Sequence, residues 1–215
     1  MSDKETNNSP DEQFQTLSGV DIKQSKLKSK GCLEIILGPM FSGKTTRIIQ
    51  AYKTYTFIGK KVTVINYIDD NRYHETLLST HDKIMIPCVQ SRTIREIWDP
   101  TNPENEISKS DVVLINEGQF FQDLYDCVLE MVETHRKIVY VCGLDGDFQR
   151  GKFGQILDLI PYCDKVEKLT SLCSNCKDGT LALFSHRITR EDSQIVIGSD
   201  NYIPLCRCCY LVNYT

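Results

Sequence analysis

Three groups of residues in this 215-residue chain have types and spacings that could do chemistry. The first is GPMFSGKTT, which begins at Gly38 directly after the apolar run CLEIIL. Gly38, Gly43, Lys44 and Thr45 fit the spacing G-x-x-x-x-G-K-[ST] between a strand-like run and a helix-like one. In such a loop, which here also holds Pro39, the glycines let backbone N–H groups of Met40, Phe41, Ser42 and their neighbours converge on phosphate oxygens, and the helix that follows turns its partial positive end to the same place. Lys44 would reach the outer phosphates and the Thr45 hydroxyl would ligate magnesium.

The second group closes the run DVVLINEGQFF, where four apolar residues lead into Asn116 and Glu117. A carboxylate at a strand end facing a phosphate loop can meet magnesium or activate a nucleophile, and Glu117 could take a proton from a substrate hydroxyl. The same position also suits a solvated charge or an acid at a helix N-terminus. The third group is Cys173-x-x-Cys176 with Cys206-x-x-Cys209, two knuckles whose four thiolates suit tetrahedral zinc. Cys208 leaves the register of the second pair open, and Cys209 restores the two-residue spacer. Four cysteines leave no vacant coordination position, so the zinc is expected to be structural.

The elements that must position these groups follow from hydrophobic pattern. CLEIIL, KKVTVINY, DVVLI and KIVYVCGLD are short apolar runs, separated by the helix-like KTTRIIQAYKTYTF and FFQDLYDCVLEMVETH. That alternation predicts an α/β core with a mostly parallel sheet covered on both faces, over residues 31–167. Residues 168–215 are read as a smaller zinc-binding, ribbon-like unit with two strand-like runs, LALFSHRIT and SQIVIG. Residues 1–30 are polar and aperiodic and read as a disordered arm. A net charge of −4 offers no basic excess for nucleic-acid binding. No apolar stretch of about 18 residues and no signal core appear, so a cytoplasmic protein without membrane contact is expected. Ten cysteines without a secretory signal favour a metal site over a disulfide framework.

Taken together, GPMFSGKTT, DNRY, THDK, NEGQFF, LDGDFQR, FG and the late CxxC pairs, in this order and spacing, resemble the type II thymidine kinase family from about Gly31 to Tyr210. The resemblance implies a P-loop nucleotide-binding core and a lasso loop anchored by zinc. It implies transfer of the γ-phosphate of ATP to the 5′-hydroxyl of thymidine with Mg2+, with Glu117 as general base. Phe148 and Tyr202 match positions lining the nucleoside pocket, and Met40, Leu144, Phe120 and Phe153 match its apolar surroundings. Ser193, Gln194, Ile195, Val196 and Ile197 match the stretch whose main chain recognises the base. Asp70, Asn71 and Arg72 match a region near the triphosphate, and Gly118 and Gln119 join Asn116 on the phosphate and magnesium side. The family usually carries Asp where Asn116 stands, which implies a higher magnesium requirement here. A homotetramer and feedback inhibition by dTTP are implied by the resemblance alone. Two other readings remain at this point, a P-loop nucleotide hydrolase using Glu117 on water and a zinc-knuckle nucleotide sensor with weak kinase activity.

Overall fold

A computed structural model describes residues 30–68, 77–79, 83–191, 193–196 and 198–213. Residues 1–29 of the arm expected over residues 1–30, the Asp70-Asn71-Arg72 stretch, His81-Asp82 and Ile197 therefore lie outside the described residues.

The chain runs through β1 (Cys32–Leu37), α1 (Lys44–Phe57), β2 (Val62–Tyr67), β3 (Leu77–Ser79), β4 (Met85–Pro87), β5 (Val89–Ser91), α2 (Glu106–Lys109), β6 (Val112–Ile115), α3 (Leu124–Leu129) and β7 (Ile138–Gly143). It continues through β8 (Lys165–Lys168), β9 (Ser171–Leu172), β10 (Leu181–Ala182), β11 (Phe184–Arg187), β12 (Tyr202–Leu205) and α4 (Arg207–Asn213). Six strands form one sheet in the order β5-β2-β6-β7-β1-β8, and every adjacent pair is parallel.

Both faces of this sheet are buried, which explains why its strands read as nearly continuous apolar runs. Leu33, Ile35, Val113, Ile115, Val139 and Val141 pack on the side of α3, with Phe121, Leu124, Val128 and Met131. The alternate residues Ile36, Val112, Leu114 and Cys142 pack on the other side against Ile48 and Ile49 of α1. The expected α/β class with a mostly parallel sheet is what forms.

Two elements differ from the pattern-based expectation. FFQDLYDCVLEMVETH is not one helix: Gly118–Phe120 is a 3₁₀ turn, α3 starts at Leu124, and Glu130–Thr134 continues as a π-turn. Asp123 sits at the start of α3, but its carboxylate accepts from the backbone N–H groups of Ile94 and Arg95. SQIVIG forms no strand among its described residues. The carbonyls of Ser193 and Gln194 accept from Arg187 and that of Val196 from the Tyr202 hydroxyl, so they do not join a ladder. β11 pairs antiparallel with β12, and β10 pairs with β9.

Candidate active site

The carboxyl ends of parallel strands are where open α/β sheets receive ligands. Here the end of β2 and the segments after β1, β6 and β7 open into one cavity of about 440 Å3, whose remaining wall comes from β3, β11, the segment between β11 and β12, and Tyr202 of β12. The residues Met40 to Thr45 are part of its lining. Gly43 is the residue before α1 and takes φ +84, a left-handed conformation that favours glycine. A Cβ on Gly38 would lie 2.8 Å from the Leu169 carbonyl oxygen, so the loop also needs glycine there for close approach. Lys44 is buried, and its ammonium donates to the carbonyls of Gly38 (3.0 Å) and Pro39 (2.9 Å). The Ser42 hydroxyl is buried without a hydrogen-bond partner among the described residues, and Ser42 lines the same cavity. An ammonium folded over a glycine loop with an unpaired buried hydroxyl suits an anion, because a buried polar group left unpaired costs about 1–3 kcal/mol.

Glu117 lines the same cavity. It has φ +52 and leads into the 3₁₀ turn Gly118–Phe120. Its Oε2 accepts from Gln119 Nε2 at 2.7 Å, and Gln119 Oε1 accepts from the Leu144 N–H at 3.0 Å. Gln119 is 1% exposed, so its amide holds the carboxylate to the strand end of β7 from inside the fold. Room for that amide depends on glycine: a Cβ on Gly143 would lie 2.3 Å from Gln119 Oε1, and one on Gly154 would lie 2.1 Å from the Gln119 carbonyl oxygen.

Asn116 is also 1% exposed, and it faces inward. Its Nδ2 donates to Asn66 Oδ1 at 2.8 Å, and its Oδ1 accepts from the Cys142 thiol at 3.0 Å. These three side chains come from neighbouring strand ends, which satisfies a buried amide that would otherwise be costly.

Aromatic side chains form another part of the lining. Phe120 stacks at 5.0 Å on Tyr67 and meets Phe153 edge-on at 5.4 Å between ring centroids. Leu144, Phe148, Gln194, Ile195, Val196 and Tyr202 also line the cavity, so these expected pocket residues do converge. Ser193 does not line the cavity, although its carbonyl and hydroxyl help shape the segment that does. Several contributors escaped the sequence reading, among them Asn66, Tyr67 and the β3 residues Leu77, Leu78 and Ser79. Asp147 lines the cavity and accepts from Gln194 Nε2 at 2.8 Å. Ser185 accepts the Met40 N–H at 2.9 Å, and Arg187 lies beside it on the same buried face of β11. The period-two alternation of FSHR would have placed Ser185 and Arg187 together, though not beside the loop after β1.

Away from the cavity, Cys173, Cys176, Cys206 and Cys209 bring their Sγ atoms within 4.8 Å of one another. Cys176 Sγ stands 3.8 Å from Cys206 Sγ and 3.5 Å from Cys209 Sγ. Tetrahedral zinc with Zn–S bonds of about 2.3 Å separates its sulfurs by roughly 3.8 Å, so this set fits the ion. The Cys206 N–H donates to Cys173 Sγ and the Cys209 N–H to Cys206 Sγ, as thiolates require. Burial opposes ionisation of Cys173, but backbone N–H groups of Cys206, Cys176 and Asn175 overcome it and bring the thiol down to about 6. Cys208 is exposed and lies outside this set of four sulfurs.

A phosphate-sized loop, a carboxylate and an aromatic pocket in one cavity narrow the chemistry to group transfer. The family model described as thymidine kinase matches residues 31–210. The chain belongs to the thymidine kinase family. It is 40% identical over 183 residues to a rice thymidine kinase, covering 84% of this chain and 66% of that protein. It is 35% identical over 199 residues to thymidine kinase a of Arabidopsis thaliana, covering 92% of this chain and 82% of the relative. Against the thymidine kinase of Vaccinia virus (strain Western Reserve) it is 38% identical over 182 residues, 84% of this chain and 97% of the viral one. Membership makes the chain a kinase and sets aside the hydrolase and sensor readings. Among its described residues no helix is long and apolar enough to cross a membrane.

Proposed function

We propose that this enzyme transfers the γ-phosphoryl group of ATP to the 5′-hydroxyl of thymidine, with Glu117 as the general base. The observation that carries the reading is that Gly43 and Lys44 of the glycine loop, Glu117, and the Phe120, Phe148 and Tyr202 rings all line one cavity. A γ-phosphoryl group held by the loop and a nucleoside held by the rings would meet at Glu117. Catalysis is then mainly positioning and charge stabilisation. Gly38 to Lys44 bind the phosphates, with the Ser42 hydroxyl and Lys44 ammonium as side-chain donors. The main chain from Ser193 to Ile197 recognises the polar edge of the base, while Met40, Leu144 and Phe153 pack around it. Asp70, Asn71 and Arg72 are assigned to the triphosphate by resemblance.

Thr45 would hold magnesium through its hydroxyl, with Asn116 assigned to the magnesium side by resemblance alone, and the ion would supply positive charge that offsets the phosphates. Zinc at the four cysteines is structural. In this reading residues 31–167 form a P-loop core and 168–215 a zinc-anchored, ribbon-like unit that carries the lasso. By resemblance the kinase is a cytoplasmic homotetramer inhibited by dTTP.

The reading is tested by offering the purified chain ATP, magnesium and a panel of deoxynucleosides. Thymidine 5′-monophosphate is expected as the main product, and ATP turnover that ignores added nucleoside would refute it.

Asn116 gives the reading a finer consequence. A neutral amide donates no charge to the cation, and its two ends are already engaged by Asn66 and Cys142. Asn116→Asp keeps the thiol contact and regains a donor if the Asn66 amide rotates. The variant is expected to lower the magnesium concentration for half-maximal rate by about threefold to tenfold. An unchanged magnesium titration would show that position 116 does not sense the ion.

A further inference from the structure

The segment between β11 and β12 forms no ladder, yet it supplies Gln194, Ile195 and Val196 to the cavity. Its described backbone converges on one side chain. Arg187 is 5% exposed; its Nη1 donates to the carbonyls of Glu191 (2.8 Å) and Ser193, and its Nη2 to that of Gln194 (3.0 Å). Nη2 and Nε also reach the Tyr202 hydroxyl at 2.6 and 3.2 Å, and that hydroxyl donates in turn to the Val196 carbonyl at 3.1 Å. The guanidinium carbon lies 3.8 Å from the centroid of Phe148, on the loop after β7. One group thus joins the end of β11, four carbonyls of the segment directly or through Tyr202, and an aromatic wall of the cavity.

The charge of this group decides what it can do. A guanidinium stays protonated, and burial away from water leaves it dependent on whatever surrounds it. Among the described residues its hydrogen-bond partners are all neutral oxygens, and the rings of Phe148 and Tyr202 add their negative faces. Carbonyl dipoles therefore stand in for a counter-ion, and the backbone has to be shaped around the plane of the fork. Lysine, with three donors on one nitrogen, cannot both span those carbonyls and stack on a ring.

We propose that Arg187 is a positioning residue for the acceptor: its guanidinium fixes the carbonyls of Glu191, Ser193 and Gln194, that of Val196 through Tyr202, and the ring of Phe148 in the arrangement that encloses the nucleoside. This rests on the acceptor binding against the aromatic side chains of the cavity. The rest of the site has its own supports. β11 is held to β12 by their ladder, the Met40 N–H is held by Ser185, and the four-cysteine cluster lies beyond both. Loss of the guanidinium should therefore loosen acceptor binding while leaving the phosphate loop in place.

The test uses the full, zinc-loaded chain with Arg187→Met and Arg187→Lys. For both, KM for thymidine is expected to rise about tenfold or more, with KM for ATP within about twofold of wild type. A glutamyl-specific protease reads the segment directly, because Glu191 is exposed within it and Glu104, exposed on the loop before α2, serves as internal reference. Cleavage at Glu191 should accelerate about fivefold or more while cleavage at Glu104 does not change. A lowered kcat with unchanged KM for thymidine, or wild-type cleavage at Glu191, would overturn the proposal. Zinc content and circular dichroism identify a variant that fails to fold, and Arg187→Lys then carries both readouts. If wild type phosphorylates no thymidine, the substrate reading falls, and the cleavage rates alone uphold or overturn the role of Arg187.

Discussion

Glu117→Gln is expected to lower kcat by about 10²–10⁴-fold with little change in KM for either substrate, the range for loss of a positioned general base. The substitution isolates charge from geometry. In the wild type Glu117 Oε2 accepts a hydrogen bond from Gln119 Nε2, and the amide oxygen of a glutamine can accept the same bond. Gln119 is in turn fixed by the Leu144 N–H and enclosed by Gly143 and Gly154, so the turn has no reason to move. Glu117 also holds a left-handed backbone conformation, which glutamine adopts at the same cost as glutamate. What disappears is the ability to take the proton from the 5′-hydroxyl. Glu117→Asp keeps that ability but withdraws the carboxylate by one methylene from the Gln119 amide, so its rate should fall between the two. Single-turnover phosphorylation with saturating ATP and thymidine measures both. Equal rates for wild type and Glu117→Gln would remove Glu117 from proton transfer and leave positioning as the whole of catalysis.

The parts of this site that sequence made legible are those whose chemistry is local in the chain. Gly38, Gly43, Lys44 and Thr45 lie within eight positions, and the strand and helix they require lie directly on either side. Glu117 was legible because an apolar strand ends beside it, and the cysteines because a two-residue spacer survives in each pair. The sheet was legible because its two faces bury alternate residues, leaving runs that read as apolar throughout.

What escaped was set by contacts that carry no periodicity. The Asn66-Asn116-Cys142 network joins residues 50 and 26 positions apart on adjacent strand ends. SQIVIG has the composition of a strand, but the carbonyls of Ser193 and Gln194 turn to the Arg187 guanidinium and that of Val196 to the Tyr202 hydroxyl. FFQDLYDCVLEMVETH has a helical pattern, but its first residues are held by the Glu117-Gln119 turn that the site needs. In both misread segments the local preference yields to a side chain that serves the cavity.

Cys206→Ser is expected to lose zinc from about one ion per chain to nearly none, and to lower the melting temperature by roughly 10 °C, as a loss of about 3 kcal/mol implies at this chain length. The effect should extend to the cavity because of how the cluster is wired. Cys206 precedes α4 and Cys209 lies on it; the next residue, Tyr210, is fully buried, and its hydroxyl donates to the Phe148 carbonyl at 2.5 Å. The cluster thus fixes the helix that fixes the backbone of Phe148, whose ring carries the Arg187 guanidinium on one side. Thymidine affinity should therefore fall with the zinc content, whereas ATP binding at the loop after β1 should fall less. Cys208→Ser supplies the opposing result. Its thiol is exposed and stands outside the four sulfurs, so zinc content, melting temperature and KM should all match wild type. Zinc lost from Cys208→Ser and kept by Cys209→Ser would reverse the register. Zinc lost from Cys206→Ser without any change in thymidine affinity would break the link from α4 to the pocket, leaving the metal to stabilise its own corner of the fold.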